Sequence, residues 1–361
     1  MTEAPLGGVL SYVQEIVSAQ LESSDIGHIT LCVSQVNVPH LSHFIDPKLT
    51  LVSFPGEDRS PVGLGRLART ARRVIRKANP DIVHAHSTWA GFAVRTAMLA
   101  APGRPKIVYC PHSWAFTREA GWAMNTSVAA MERFLSKVTD RIVCVSNAER
   151  RDGLAGGIPA DKLVVIENGI QDDGGLPDTR PSNGKEKKVL FVGRFDHQKG
   201  FDVYLKVLAE LKGEAVGIAV GDYLVGSDRN VEHPENITLL GWRKREEVRP
   251  LLAEADLLLM PSRWEGLPIV ALEAMRDSLP IFSTKVGGLE DVVTDGVTGY
   301  LLDTHDPGTI ASKIRATTIE TLREFGQNAR ARFLDRFTAT RMNEELIRLY
   351  ASLCRNQLGS Q

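Results

Sequence analysis

The residues best equipped for chemistry stand in one run, Pro261-Ser-Arg-Trp-Glu-Gly-Leu-Pro-Ile-Val-Ala-Leu-Glu-Ala-Met275, where Glu265 and Glu273 lie eight positions apart. The run follows Leu257 to Met260, an apolar stretch that reads as a buried strand. Pro268 suits the first turn of a helix, where its missing N–H has no acceptor in any case. Glu265 then falls in a loop and Glu273 inside the helix, with the backbone of Gly266, Leu267, Pro268 and Ile269 between them. A helix start of this kind can hold a diphosphate, while two carboxylates accept hydrogen bonds from sugar and ribose hydroxyls. The plainer alternative makes Ser262-x-x-Glu265 a capping box and Glu273 a solvated helix residue. It would draw Pro268 into the early helix, where its ring and absent N–H begin to cost stability, so the ligand-binding reading is preferred.

A second set is Val189-Leu-Phe-Val-Gly-Arg-Phe-Asp-His-Gln-Lys-Gly200, a strand pattern that ends in Gly193 and Arg194 with Lys199 five residues on. Strand ends are where open α/β sheets bind ligands. Arg194, through its fork, and Lys199, as a point charge, can neutralise a departing diphosphate. Both could equally be solvated surface cations; their place beside the carboxylate run favours the clamp. Gly287-Gly288-Leu289-Glu290-Asp291 is a weaker signal, in which two glycines would let amides approach a phosphate.

The elements that must position these residues are legible in the hydropathy. Apolar runs at Ile29 to Val33, Ile82 to His84, Ile107 to Tyr109, Ile142 to Val145, Val189 to Val192, Val216 to Val220, Leu257 to Met260 and Pro280 to Ser283 alternate with helix-period segments. Strands this apolar are covered on both faces, and the alternation occurs twice, predicting two doubly wound α/β domains. Residues 1–172 form the first, 173–188 a glycine- and charge-rich linker, 189–335 the second, and 336–361 a closing helix with Leu346, Ile347, Tyr350 and Leu353 on one face.

Length and composition agree with a globular protein of two domains: 361 residues, 43% hydrophobic, 24% charged, formal net charge -1. No basic excess points to nucleic acid, and no run approaches the ~20 apolar residues of a membrane span. A cytoplasmic chain is expected. Cys32, Cys110, Cys144 and Cys354 are scattered and suggest neither disulfides nor a zinc knuckle.

Together the motifs resemble the retaining family-four glycosyltransferases, whose GT-B architecture has two facing Rossmann-like domains. The resemblance rests on Gly7-Gly8, Asp81-Ile-Val-His-Ala-His86, Val145-Ser-Asn147, Ile166-Glu-Asn-Gly169, Gly193-Arg194, Lys199-Gly200, Leu240-Gly241, the Glu265 to Glu273 run and Gly287-Gly288 with Glu290. It implies transfer with retention, by front-face departure of a nucleoside diphosphate in a cleft between the domains, with no cofactor beyond the nucleotide-sugar donor and no metal. It further implies that Arg194 and Lys199 clamp the diphosphate and Glu273 binds ribose. Glu265 would bind the donor sugar's hydroxyls and Leu240 to Arg243 the base, while Gly7 and Gly8 reach the phosphates from the first domain. His112, in Tyr109-Cys-Pro-His-Ser-Trp114, would lie near the transferred sugar.

Two departures from the family pattern stand out. Only Met1 to Leu6 precede Gly7, where relatives have a full apolar strand, so a misassigned start or a shortened chain is expected, with Met1 to Leu6 as the strand's last residues. Ser278 replaces a frequent glycine, for which local repacking is expected.

Three further signals carry less. Gly63-Leu-Gly-Arg-Leu-Ala68 fits a dinucleotide fingerprint but follows Pro55 to Pro61, which cannot be the required strand. His84 and His86 share one strand face without an evident third metal ligand. Arg66, Arg69, Arg72, Arg73, Arg76 and Lys77 crowd a helix over 64–78 whose other face is apolar, which suits weak contact with anionic lipid. The reading is thus a retaining hexosyltransferase of bacterial envelope or exopolysaccharide assembly. It would use a UDP- or GDP-sugar and a glycan or lipid-linked acceptor at the inner membrane face. A nucleotide-sugar epimerase of the same fold, or a catalytically silent scaffold, is the alternative.

Overall fold

The computed structural model describes residues 1–2, 7–56, 60–99, 101–117, 121–174, 186–223 and 232–358. The chain divides into two units, Met1–Gln171 with Ala339–Gln361, and Asp172–Thr338.

The first unit runs α1 (Gly8–Glu22), β1 (Ile29–Ser34), β2 (Leu49–Phe54), α2 (Pro61–Ala78), β3 (Ile82–His86), α3 (Thr88–Ala97), β4 (Lys106–Cys110), α4 (Trp122–Leu135), β5 (Arg141–Cys144), α5 (Asn147–Ala155) and β6 (Leu163–Val165). Its strands are parallel, in a β1-β2 pair and a β3-β4-β5-β6 set. Thr2 bridges the two by pairing with Val33 on one side and His86 on the other. Met1 and Thr2 thus occupy a strand position between β1 and β3; residues 3–6, expected to end that strand, lie outside the described residues.

The second unit runs β7 (Lys187–Val192), α6 (Phe201–Glu210), β8 (Ala215–Val220), β9 (Ile237–Gly241), α7 (Arg245–Glu254), β10 (Leu257–Met260), α8 (Ile269–Arg276), β11 (Ile281–Thr284), α9 (Leu289–Val292), β12 (Gly299–Leu302), α10 (Pro307–Ala316) and α11 (Ile319–Arg336). Its sheet is parallel, in the order β12-β11-β10-β7-β8-β9. The order reverses at β7, so the loops after β7 and β10 diverge around a switch point, the place where such sheets open a ligand crevice.

Helix α12 (Ala339–Leu358) returns to the first unit, beginning three residues after the expected 336, and packs on α1. Arg341 Nη2 donates to Glu167 O at 2.7 Å, and Gly169 N–H points at Met342 Sδ at 3.2 Å. The Ile166-Glu-Asn-Gly169 motif is therefore the seat of the last helix. The described ends of the stretch expected as a linker belong to the second unit. Lys187 and Lys188 begin β7, Asp172 pairs with Arg330, and Asp173 lies 3.2 Å from Arg276. Residues 175–185 of that stretch lie outside the described residues.

Among the described residues four strands escape the apolar-run criterion: β2, β6, β9 and β12. They sit at sheet edges and are partly exposed, as the pattern of β2 shows, so they do not need continuous apolarity. The Gly63 to Ala68 fingerprint lies wholly inside α2, capped by the Ser60 hydroxyl on Gly63 N–H, and forms no phosphate loop.

Ser278 does more than repack. It follows α8 in the left-handed conformation, φ 58°. Its N–H donates to Met275 O and that of Leu279 to Ala274 O, the paired bonds of a Schellman cap. A residue with a Cβ is disfavoured there by about 1 kcal/mol. Ser278→Gly is therefore expected to raise stability by roughly that amount, read as a higher urea midpoint. An unchanged or lower midpoint would show that the serine side chain offsets the backbone cost.

Candidate functional site

In the second unit the site is assembled around the ends of β7 and β10. Gly200 (φ 67°) ends the β7 loop and starts α6. A Cβ there would meet Pro261 O at 1.9 Å, so only glycine lets the β7 loop lie against the backbone leaving β10. The two loops are also tied by Arg263 N–H to Gln198 O at 2.8 Å and by Gln198 Nε2 to Trp264 O at 3.2 Å. Across this contact Lys199 Nζ meets Glu265 Oε1 at 2.6 Å, and Ser262 Oγ donates to the same oxygen at 2.8 Å. Ser262 thus orients Glu265 and caps no helix. Pro268 is the cap residue preceding α8 rather than its first member, and no side chain caps the helix. The Ala271 N–H reaches the Pro268 carbonyl at 3.1 Å, and helix geometry gives the N–H groups of Ile269 and Val270 no acceptor within the helix.

Arg194 Nη2 donates to Gln198 Oε1 at 2.6 Å, and its Nε lies 2.8 Å from Asp196 Oδ2. Glu273, one turn into α8, accepts from Arg245 Nε at 2.6 Å. Burial pushes the Glu273 carboxyl up, against the pull of Arg245 and Arg276. Leu240, at the end of β9, is half-buried and Arg243 is exposed. From that segment it is Arg245, two residues beyond the expected contact, that reaches the carboxylate. Three of the cation–carboxylate pairs here share a pattern of exposure, Arg194 43% against Asp196 15%, Lys199 20% against Glu265 6% and Arg245 41% against Glu273 11%, while Arg263–Asp202 reverses it at 18% against 46%. In those three, the cation faces outward and can meet an anion without dragging its carboxylate along.

Gly287 and Gly288 serve a different end from the one expected. Side chains there would collide with Glu265 O and Gly266 O at 2.0 and 2.1 Å, and Gly288 N–H is spent on Gly266 O at 2.6 Å. The pair lets this loop buttress Glu265 and Gly266; it offers no Gly288 amide to a phosphate.

In the first unit Gly7 caps α1 without a side chain, and both Gly7 and Gly8 are exposed. His112 follows β4 with φ 57°, and Ser113 has φ 102°, two consecutive non-glycine residues at positive φ. Glu149 holds them: its Oε1 accepts from Ser113 N–H and its Oε2 from Val145 N–H at 2.6 Å. Its own N–H is capped by Ser146. His112 Nε2 lies 3.2 Å from His86 Nδ1, and Tyr12 stands edge-on to both rings, at 4.7 and 5.6 Å between centroids. Burial lowers the His112 imidazole to about 3 and holds His84 and His86 well below the usual range, so all three are neutral at pH 7.

Among the described residues His84 gathers no further ligand around the pair it forms with His86, but His86 by itself has other neighbours. Cys110 and His112 lie with His86 so that one ligand atom of each falls within 4.8 Å of the others. The separation in sequence hid this, because β3 and β4 are brought side by side only by the sheet. Arg245, Tyr12 and Glu149 were missed for the same reason, whereas Ser262 was read only as a candidate cap and instead donates to Glu265. Of these, Ser146-x-x-Glu149 carried a visible signal, a capping-box spacing, but the Glu149 side chain turns to Val145 and Ser113 instead.

Comparison with known proteins bears on both units. The family model Glycosyltransferase Family 4 matches residues 6–173, and Glycosyl transferases group 1 matches 176–332. A Klebsiella pneumoniae 41.2 kDa protein of the cps region is 28% identical, covering 98% of each chain. The Escherichia coli UDP-Gal:alpha-D-GlcNAc-diphosphoundecaprenol alpha-1,3-galactosyltransferase is 26% identical over 79% of each. Anabaena HepE, solved with UDP and glucose, has TM-score 0.78 at 19% identity, over 97% of this chain and 98% of its own. Sucrose-phosphate synthase from Thermosynechococcus elongatus has TM-score 0.80 at 18% identity, over 99% and 96%. These two likenesses are of fold. No helix among the described residues is long and apolar enough to cross a membrane.

Burial pushes Glu149 up to about 7, against the two N–H groups it accepts. A carboxyl raised on folding favours the folded state below its unfolded pKa of about 4.5 and loses that contribution as pH rises through about 7. The buried imidazoles act oppositely, losing theirs as pH falls below about 6.5. The stability gap between wild type and Glu149→Gln should therefore be widest at pH 5 and narrow toward pH 8, by an amount on the order of 3 kcal/mol. Urea unfolding of both proteins across that range checks it; a gap independent of pH would show Glu149 ionised throughout.

Proposed function

As the chain belongs to the family-four glycosyltransferases, with their two-domain α/β GT-B fold, it transfers a sugar, and we propose that it does so with retention, from a UDP- or GDP-hexose to a glycan or lipid-linked acceptor. The observation that carries this reading is the Lys199–Glu265 pair at the β7/β10 switch point, beside the uncapped start of α8. A nucleoside diphosphate leaving group needs cations that are outward and already positioned, which Arg194 and Lys199 supply. The amides at the start of α8, contributed by Ile269 and following the Gly266-Leu267-Pro268 turn, add positive potential without mobile charge.

In this reading Glu265 accepts the sugar's hydroxyls. Glu273, steadied by Arg245, accepts those of ribose, and Leu240 and Arg243 face the base. Gly7 and Gly8 present the start of α1 to the phosphates, and His112 stands by the sugar. The bond from the anomeric carbon to the diphosphate oxygen breaks as the acceptor oxygen forms its bond on the same face, and the acceptor's hydroxyl proton passes to the departing diphosphate oxygen. Stabilising the developing diphosphate charge supplies most of the rate. A neutral His112 can donate or accept one hydrogen bond to a sugar hydroxyl but brings no charge to the anomeric centre. The nucleotide sugar is the co-substrate, and neither cofactor nor metal is invoked.

The Escherichia coli relative's diphosphoundecaprenol substrate and the cps-region origin of the Klebsiella pneumoniae relative support a lipid-linked acceptor in envelope or exopolysaccharide assembly. The HepE complex with UDP favours UDP over GDP. The basic helix α2 would place the chain at the cytoplasmic membrane face.

A thermal-shift screen of UDP, GDP, ADP and their sugars tests the donor class: one nucleotide should raise the melting temperature selectively, and none doing so would sink the reading. Glu273→Ala should weaken nucleotide binding roughly tenfold, as expected for losing a charged acceptor. His112→Ala should lower kcat more than it raises the donor KM. Wild-type behaviour in both variants would overturn the site assignment.

A further inference from the structure

Three groups with metal-ligand chemistry meet at one end of the first unit's sheet, and the strand register explains why. In the parallel β3–β4 pair His86 stands opposite Cys110, so both side chains leave the same face where the two strands end. His112 follows two residues later, and its left-handed backbone turns the ring back toward them, pinned by Glu149 through Ser113 N–H. His86 Nδ1 and His112 Nε2 thus lie 3.2 Å apart, and one ligand atom each from His86, Cys110 and His112 fall within 4.8 Å of one another. A tetrahedral zinc ion sets two nitrogen ligands about 3.3 Å apart and a nitrogen and a sulfur about 3.6 Å apart. The two nitrogens already stand at that spacing, and about 1 Å of side-chain movement closes the rest.

Packing by itself does not account for what surrounds the cluster. Tyr12 is fully buried and edge-on to both imidazoles, yet its hydroxyl has no hydrogen-bond partner among the described residues. The His84 ring lies 4.0 Å from that of His86; its Nδ1 is 2.6 Å from the Tyr350 hydroxyl, while its buried Nε2 has no partner among the described residues either. Buried polar atoms left without partners cost stability, and two of them beside three ligand groups call for an ion and its bound water. We propose that His86, Cys110 and His112 bind one zinc ion, with water in its fourth position. Imidazole and thiolate are ligands zinc takes readily, and three of them leave the coordination open on one side. His112 is half-buried and gives the ion its way in. Each ring takes the tautomer that leaves the metal-facing nitrogen bare, and Cys110 gives its thiol proton to solvent, so each zinc bound releases one proton. The metal ties β3 to the loop after β4 and fixes the His112 ring. The place of His112 beside the sugar rests on the proposed reaction; the zinc site rests on the first unit alone.

Cobalt(II) titrated into the metal-free full chain tests the site, because a thiolate–cobalt bond gives a near-ultraviolet charge-transfer band and a tetrahedral site gives strong visible bands. Wild type should show both, saturating at one cobalt per chain and displaced by zinc. Cys110→Ser should lose the charge-transfer band, whereas Cys144→Ser, the same change at a buried cysteine outside the cluster, should keep it. His86→Gln should weaken zinc binding at least about tenfold, since losing a ligand costs no less than losing the partner that orients one. Unchanged circular dichroism establishes that each variant is folded. X-ray absorption of the zinc-loaded wild type needs no variant and should show sulfur at about 2.3 Å and nitrogen at about 2.0 Å. Wild type without the charge-transfer band, a zinc shell without sulfur, a folded Cys110→Ser that keeps the band or a folded Cys144→Ser that loses it would each overturn the proposal. A chain that binds zinc through sulfur but is stabilised by no nucleotide would overturn the donor reading alone.

Discussion

The second unit depends on backbone meeting backbone without side chains between. The β7 loop rests on Pro261 through Gly200, and the Gly287-Gly288 loop rests on Glu265 and Gly266. These approaches bring three loops, separated by scores of residues in sequence, to within hydrogen-bond reach. Lys199 and Glu265 can form a 2.6 Å pair only because Gly200 removes the space a Cβ would require. Glu265 in turn keeps one position because Ser262 and the Gly287 loop close on it from two sides.

That rigidity suits the electrostatic work proposed for the site. Preformed pairs would spare the reorganisation that water undergoes around the diphosphate that the proposed reaction releases. Their asymmetry, with inward carboxylates and outward cations, keeps the site close to neutral while presenting positive charge to whatever enters. The first unit solves a related problem by other means. There a buried carboxyl, Glu149, holds His112 and Ser113 at positive φ, and burial keeps the surrounding imidazoles uncharged. Strain of this kind persists where neighbouring structure over-determines it, and it gathers at functional sites.

The surface of the first unit is uneven. Carbon and positive charge concentrate on the α2–α4 side of the first sheet, although the chain as a whole is nearly neutral. A composition averaged over the whole chain conceals such a face, and only the handedness of the crossovers shows which helices share it.

Much of the architecture was legible in the residues. Strands covered on both faces, such as Leu257 to Met260 and Val189 to Val192, must be continuously apolar, and helices between them must show a 3.6-residue period. The Glu265 to Glu273 run was readable because loop, helix start and both carboxylates are local. Tertiary structure alone decided the rest. Edge strands such as β2 and β6 need no apolar run. Gly287 and Gly288 turned out to be buttresses because the loop they touch is more than twenty positions away. Arg245 on Glu273, Cys110 and His112 beside His86, and Glu149 beneath Ser113 are partnerships across elements. The backbone φ that makes Ser278 costly depends on how α8 ends. A sequence records which groups a chain possesses and their local period; which groups meet is set by sheet order and crossover hand, and these bring together residues that no spacing rule connects.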